Sequence, residues 1–161
     1  MNDILQLQSE SEILPIQLDV AKNYLRVDFD FDNQLITKLL RTAIRNCESY
    51  IGKTILEKTY ILSIYKNREK IALPYPPVIS INSVVGASNY TYDDVANILK
   101  ISGNLQERVD VNYTAGMPYI MDEIEQGILI HTAKMYEDKT GATSIPDASI
   151  AIYQKYREIR I

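Results

Sequence analysis

The chain has 161 residues, a mass of 18.4 kDa and a net charge of −4. Its 46% apolar and 24% charged residues are the composition of a globular domain, and a chain of this length buries roughly two thirds of its unfolded surface without a disulfide or metal staple. One cysteine excludes an internal disulfide and any CxxC site, and one histidine excludes a multi-histidine metal centre. No apolar run approaches the length of a membrane span. The opening MNDILQLQSESEIL lacks a basic segment followed by an apolar one, so it does not read as a signal peptide. The expected compartment is the cytoplasm, or a particle assembled there, with no membrane partner.

Charge is segregated along the chain. Residues 1–32 sum to −5, residues 33–70 to +5, and residues 71–120 and 121–161 to −2 each. Such blocks can bring neighbouring copies together, or can be acids near helix starts and bases on solvated faces. A basic block inside an acidic protein is weak support for nucleic-acid binding.

In chain order, residues 1–14 are polar up to Pro15 and predict a flexible N-terminal arm. Leu18, Ala21 and Tyr24 or Leu25 recur at helical spacing, predicting a helix over 17–27. After the break Asp28-Phe29-Asp30-Phe31-Asp32, the residues Leu35, Ile36, Leu39, Leu40, Ala43, Ile44, Cys47 and Ile51 form a wide apolar stripe over 32–51. Gly52 follows in the position that ends many helices. Strands are expected within 54–114, at Thr59–Tyr65, Ile71–Leu73, Val78–Val85, Ile98–Ile101 and Arg108–Tyr113. Residues 86–96 read as a polar loop and Asn67-Arg68 as a turn. A mostly apolar helix is expected over 122–140, opened by a capping-box variant of Asp122 and Glu125 and ended by Gly141. Residues 141–161 form a C-terminal segment with a short final helix. The expected fold class is therefore α+β: a helical bundle with long central helices and an inserted small antiparallel β-region, with 15–140 as a single domain.

Candidates for chemistry are sparse. Asp28, Asp30 and Asp32 spell the opening of a calcium loop, but Asn33 and Leu39 stand where it needs glycine and glutamate. These acids are better read as facing the start of the long helix. His131 has no second histidine and reads as a packed side chain. Cys47 falls on the apolar stripe, where a thiol is inert. Asp93-Asp94 and Glu137-Asp138 are adjacent pairs whose side chains diverge. No catalytic, metal or cofactor-binding residue is assigned, and no cofactor is expected. Twelve tyrosines supply most of the aromatic surface. Tyr153 and Tyr156 lie beside Lys155, Arg157 and Arg160, a composition favoured at interfaces, though half-buried tyrosines with wet hydroxyls give the same pattern.

Four segments in order resemble the tailed-phage head–tail connector (adaptor) family, the HK97-type group also found in gene transfer agents. They are IQLDVAKNYLRV at 16–27 followed by acids and LITKLLRTAIRNCESYIGKTI; Ile71-Ala72-Leu73-Pro74-Tyr75-Pro76-Pro77-Val78-Ile79-Ser80-Ile81; Val109-Asp110-Val111-Asn112-Tyr113-Thr114-Ala115-Gly116; and the closing helix Glu123 to Glu137. The resemblance covers residues 16–140. Gln17 departs from the usual Ser or Thr cap, and residues 141–161 match no family motif. The resemblance implies a structural protein and not an enzyme. It implies a ring of about twelve copies in the virion neck, assembled in the bacterial cytoplasm. The portal protein lies above and a stopper or tail-completion protein below, and DNA passes through the lumen without sequence-specific binding. Exposure at the chain end, not a motif, points to a portal contact through Tyr153, Tyr156, Arg157, Ile159, Arg160 and Ile161. Charge points to an inter-subunit contact of Lys38, Arg41 and Arg45 with Asp28, Asp30 or Asp32 of a neighbour. The rival readings are a small carboxylate-dependent enzyme and a nucleic-acid-binding module using the basic block.

Overall fold

The computed structural model describes residues 2–65, 68–138 and 144–158. The chain divides into two compact units, Met1–Glu12 with Leu56–Met117, and Ile13–Ile55 with Pro118–Ile161.

The first unit holds seven strands among the described residues: β1 (Ile4–Glu10), β2 (Lys58–Ile64), β3 (Lys70–Ala72), β4 (Val78–Val85), β5 (Asn89–Asp93), β6 (Ile98–Ser102) and β7 (Val109–Ala115). They form two antiparallel sheets, ordered β1-β2-β7-β4 and β3-β6-β5. β7 shows the cause most clearly. Val109, Val111, Tyr113 and Ala115 are buried while Asp110, Asn112 and Thr114 alternate with them at the surface, which is the period of a strand with one face in a core. β2 pairs with it in unbroken register from Lys58↔Ala115 to Ile64↔Val109. The core draws on both sheets: Leu62, Ile64, Val111 and Tyr113 pack in one cluster with Ile71, Leu73, Leu99 and Ile101. Tyr60 stacks on Tyr113 with ring centroids 5.5 Å apart, and the Tyr113 hydroxyl donates to the Pro74 carbonyl at 2.8 Å.

The second unit holds four helices among the described residues: α1 (Leu18–Leu25), α2 (Asn33–Ile51), α3 (Asp122–Glu137) and α4 (Asp147–Tyr153), the last running into a 3-10 turn at Gln154–Tyr156. α2 buries Ile36, Leu40, Ala43, Ile44, Cys47 and Ile51 completely. It ends at Gly52, whose φ of 73° lets its N–H reach back to the Glu48 carbonyl at 2.9 Å. The buried Glu48 carboxylate accepts from the Ile55 N–H at 2.7 Å. α3 buries Ile124, Ile128, Leu129, His131, Thr132 and Met135.

The fold class expected from sequence is overturned. Of the described residues 35% are helical and 28% are in strands, in two antiparallel sheets, which is not a helical bundle with long central helices and a small β-insert. α1 has 8 residues and α4 has 7. The short, Pro-interrupted strand segments look minor one by one, yet non-local pairing gathers them into a unit with its own core. The arm expected over 1–14 also differs, since residues 4–10 pair with β2 from Ile4↔Ser63 to Glu10↔Lys58. The loop expected at 86–96 contains β5. α3 has Met121 at its N-cap without a side-chain cap bond, so Asp122 and Glu125 form no capping box. Gly141, expected to end that helix, and Asn67 of the expected turn lie outside the described residues.

Gly86 holds a φ of 96°, and a Cβ there would stand 2.4 Å from the Arg108 carbonyl oxygen. Gly86→Ala is expected to destabilise the β unit by about 1–3 kcal/mol, read as a lower midpoint in denaturant unfolding followed by tyrosine fluorescence.

Candidate functional site

Two surfaces of the helical unit gather the residues singled out by the sequence. The first is the corner between α1 and α2. α1 stops at Arg26, which takes the left-handed conformation (φ 56°), and the chain then passes through Asp28-Phe29-Asp30-Phe31-Asp32 into α2. Two of the three acids are engaged within this unit. Lys22 Nζ lies 2.7 Å from Asp30 Oδ1, and Asn33 Nδ2 donates to the same oxygen at 3.3 Å. The Lys22 hydrogen bond, then that from Asn33, holds the Asp30 carboxyl below its ordinary value of 3.8. Asp32 accepts from the Tyr136 hydroxyl at 2.6 Å, and that hydrogen bond raises the tyrosine's pKa. Asp32 occupies the N-cap position of α2 without a side-chain cap bond. Asp28 is exposed.

The two phenylalanines between these acids are the only ones in the chain, and both face solvent, Phe29 at 49% and Phe31 at 92%. Fully burying a Phe side chain is worth about 1.5–3 kcal/mol, so Phe31 leaves nearly all of that unrealised. The sequence reading passed over them. The available signal was strict Asp/Phe alternation in the five-residue break between two predicted helices.

Farther along α2, Lys38, Arg41 and Arg45 are spaced three and four residues apart and so share one helix face. Lys38 and Arg45 are exposed and Arg41 is half-buried.

The second surface is the end of the described chain. Tyr153, expected at an interface, is 0% exposed. The reason lies on α3, where Gly127 has no side chain: a Cβ there would stand 2.5 Å from Tyr153 Cε1. Ser149 Oγ donates to the Gly127 carbonyl at 2.8 Å, clamping α4 onto the same spot. The Tyr153 ring also meets Tyr50 at a centroid distance of 6.1 Å. Tyr153 is therefore a core residue, which corrects the sequence expectation. Beyond it, the Tyr156 hydroxyl bonds Glu123, Arg157 lies over the Tyr50 ring at 5.4 Å, and the Glu158 N–H donates to the Ile51 carbonyl at 2.9 Å. Arg157 is exposed and Tyr156 half-buried. Ile159, Arg160 and Ile161 lie outside the described residues.

The remaining candidates are interior. His131 is fully buried in α3. Cys47 is fully buried, and burial pushes its thiol up to about 12, which keeps it protonated and unreactive. Among the described residues no three His, Cys, Asp or Glu side chains converge as metal ligands, and no helix is long and apolar enough to cross a membrane.

Residues 15–126 match the family described as phage gp6-like head-tail connector protein. No curated protein matches the sequence. Three solved assemblies contain chains of similar fold. One is the neck of an empty GTA particle computed with C6 symmetry, with 18% identity, a TM-score of 0.78 and coverage of 98% of this chain and 97% of that one. The second is the virion of a native gene transfer agent particle, with 19% identity, a TM-score of 0.77 and the same coverage. The third is the neck of a native GTA particle computed with C12 symmetry, with 19% identity, a TM-score of 0.67 and coverage of 96% and 97%.

Gly127→Ala is expected to displace Tyr153 and cost about 1–3 kcal/mol by overpacking. Limited proteolysis should then cut between α3 and α4 faster than in wild type. The depressed Asp30 pKa gives a second expectation. The Lys22–Asp30 pair contributes in full above the ordinary value of 3.8 and is lost as pH falls through the lower folded value. Carboxyl NMR titration should show the Asp30 midpoint moving up in Lys22→Met, and an unmoved midpoint contradicts the pairing.

Proposed function

This chain belongs to the phage gp6-like head-tail connector family, and we propose that it is the subunit of an oligomeric ring of about twelve copies in a virion neck. There it links capsid to tail and forms part of the DNA exit channel. The observation that carries this reading is the family match over residues 15–126. The fold shared with chains of GTA neck particles across nearly the whole of both chains supports it. A connector is a structural protein, not an enzyme, and an inert buried Cys47 fits that role.

In this reading the portal protein lies above the ring, a stopper or tail-completion protein lies below, and DNA passes without sequence-specific contacts. The portal contact falls to the end of the chain from Tyr156 and Arg157 through Ile159, Arg160 and Ile161, with Tyr153 left as the anchor that fixes this segment to its own unit. The contact between copies uses the face of α2 bearing Lys38, Arg41 and Arg45 against the acidic corner of the next copy. There Asp28 is exposed, and the Asp30 side chain, 86% exposed, keeps acceptor capacity beside its bond to Lys22. Asp32, engaged by Tyr136, contributes through its charge. Opposite charges on two different patches favour a head-to-tail contact, the kind that closes into rings.

The double reversal Arg41→Glu/Arg45→Glu is expected to weaken self-association at least roughly tenfold, a change of about 1.4 kcal/mol, measured by sedimentation velocity across a concentration series. Adding Asp28→Lys/Asp30→Lys to the same chain should restore much of it. Unchanged association in the first variant overturns the charge contact.

A further inference from the structure

We infer that Lys70, Lys100 and Thr91 form a phosphate-contacting row on the β unit, whose ligand is the sugar–phosphate backbone of duplex DNA, held without regard to sequence. This rests on the DNA passage proposed above for its ligand, and on the β unit alone for its geometry.

The row follows from strand register. In the sheet β3-β6-β5, Ile71, Leu99 and Ile101 are buried in the core and Tyr92 packs against it. Alternation along each strand then turns Lys70, Lys100 and Thr91 to the opposite, outer face, and all three are exposed. Lys70 stands directly opposite Lys100, and Lys100 directly opposite Thr91. Two lysine stems therefore leave the sheet about 5 Å apart, with a hydroxyl next in line. Like charges directly opposite each other destabilise a strand pair. Among the described residues neither lysine makes an ion pair, whether with Glu69 beside Lys70 or with Asp93 beyond Thr91. Asp93 Oδ1 instead accepts from the Ala96 N–H at 3.0 Å. Arg68, two residues before Lys70, is held by Asp3 and stays outside the row. Ser102 and Asn89, paired with each other one row along, add further donors. An anion between the two ammonium groups removes their repulsion and can engage the Thr91 hydroxyl as well.

The composition of this face selects a phosphate backbone. Lysine, serine, threonine and asparagine are side chains that contact DNA phosphates. Lysine meets a phosphate as a point charge, whereas paired carboxylate oxygens suit the arginine fork. A protein partner fits the face poorly. Interfaces are depleted in lysine and serine, and their energy comes from aromatic and apolar anchors. Here the strands present only Ala72 and the half-buried Ile98 as apolar side chains. Two phosphate contacts in one copy are weak, but copies repeated around a ring engage one duplex together.

Both lysines are exposed and repel each other, so Lys70→Gln/Lys100→Gln should fold with a melting temperature at or above that of wild type. Binding of a labelled mixed-sequence duplex to the purified full chain is read by fluorescence anisotropy across a salt series. Wild type should bind different sequences alike, with affinity falling as salt rises. In the double variant, affinity at low salt should drop at least roughly tenfold, and the salt slope should be shallower by about 1 for each lysine removed. Lys134→Gln/Lys155→Gln makes the same charge change on the helical unit and should bind as wild type does. No binding by wild type at low salt, unchanged binding by Lys70→Gln/Lys100→Gln, or an equal loss in the control variant overturns the row. Wild type that ignores the duplex, with self-association lost in Lys70→Gln/Lys100→Gln, overturns it in favour of an acidic protein surface. Ring mass is measured separately by light scattering. A chain that binds duplex through these lysines yet neither self-associates nor joins a portal ring overturns the ring reading and leaves the row standing.

Discussion

The β unit depends on the pairing of β2 with β7. These are the first strand after the chain enters that unit at Leu56 and the last before it leaves at Met117. Their register runs from Lys58↔Ala115 to Ile64↔Val109 without a shift. Entry and exit are thereby fixed side by side, and everything between is a loop that the sheet closes. Closing so long a loop costs entropy that local contacts cannot recover, and the shared core of Tyr60, Val111, Tyr113, Leu99 and Ile101 is what offsets it. Gly116 follows the same constraint. Its N–H reaches the Pro77 carbonyl at 3.0 Å, and a Cβ there would stand 2.9 Å from Glu57 Cα, so the strand can run this close only with no side chain at that point.

The helical unit solves a different problem. Its short elements are held by single specific contacts. α4, with seven residues, could not persist as a helix alone. It is kept by one ring over one glycine and one hydroxyl on one carbonyl. The corner before α2 is kept in the same way by two carboxylates. Phe29, Phe31 and Asp28 are exposed at one place, Lys38 and Arg45 at another, and Arg157 at a third.

Much of this was legible in the sequence where the determinant is local. The stripe from Ile36 to Ile51 and its stop at Gly52 follow from helical periodicity and the left-handed glycine, and α2 lies where the pattern put it. The alternation in β7 is equally local. The family could be read from four segments in order. What escaped depends on partners distant in sequence. Residues 4–10 look like a polar arm because the strand that pairs with Ile4 is at Ser63. β5 hides in a polar loop because β6 supplies its ladder. Tyr153 looks like an interface residue because the glycine that makes room for it is on another helix. Phe29 and Phe31 were missed because their acids were weighed as charges and not as fasteners.

The account stands or falls on self-assembly with ring geometry. The most direct measurement is the mass of the purified wild-type chain by light scattering behind a sizing column at high concentration, repeated with a portal ring added. The account predicts a species of about twelve protomers, with closed rings visible by negative stain. A chain that stays monomeric alone and also ignores the portal ring contradicts it.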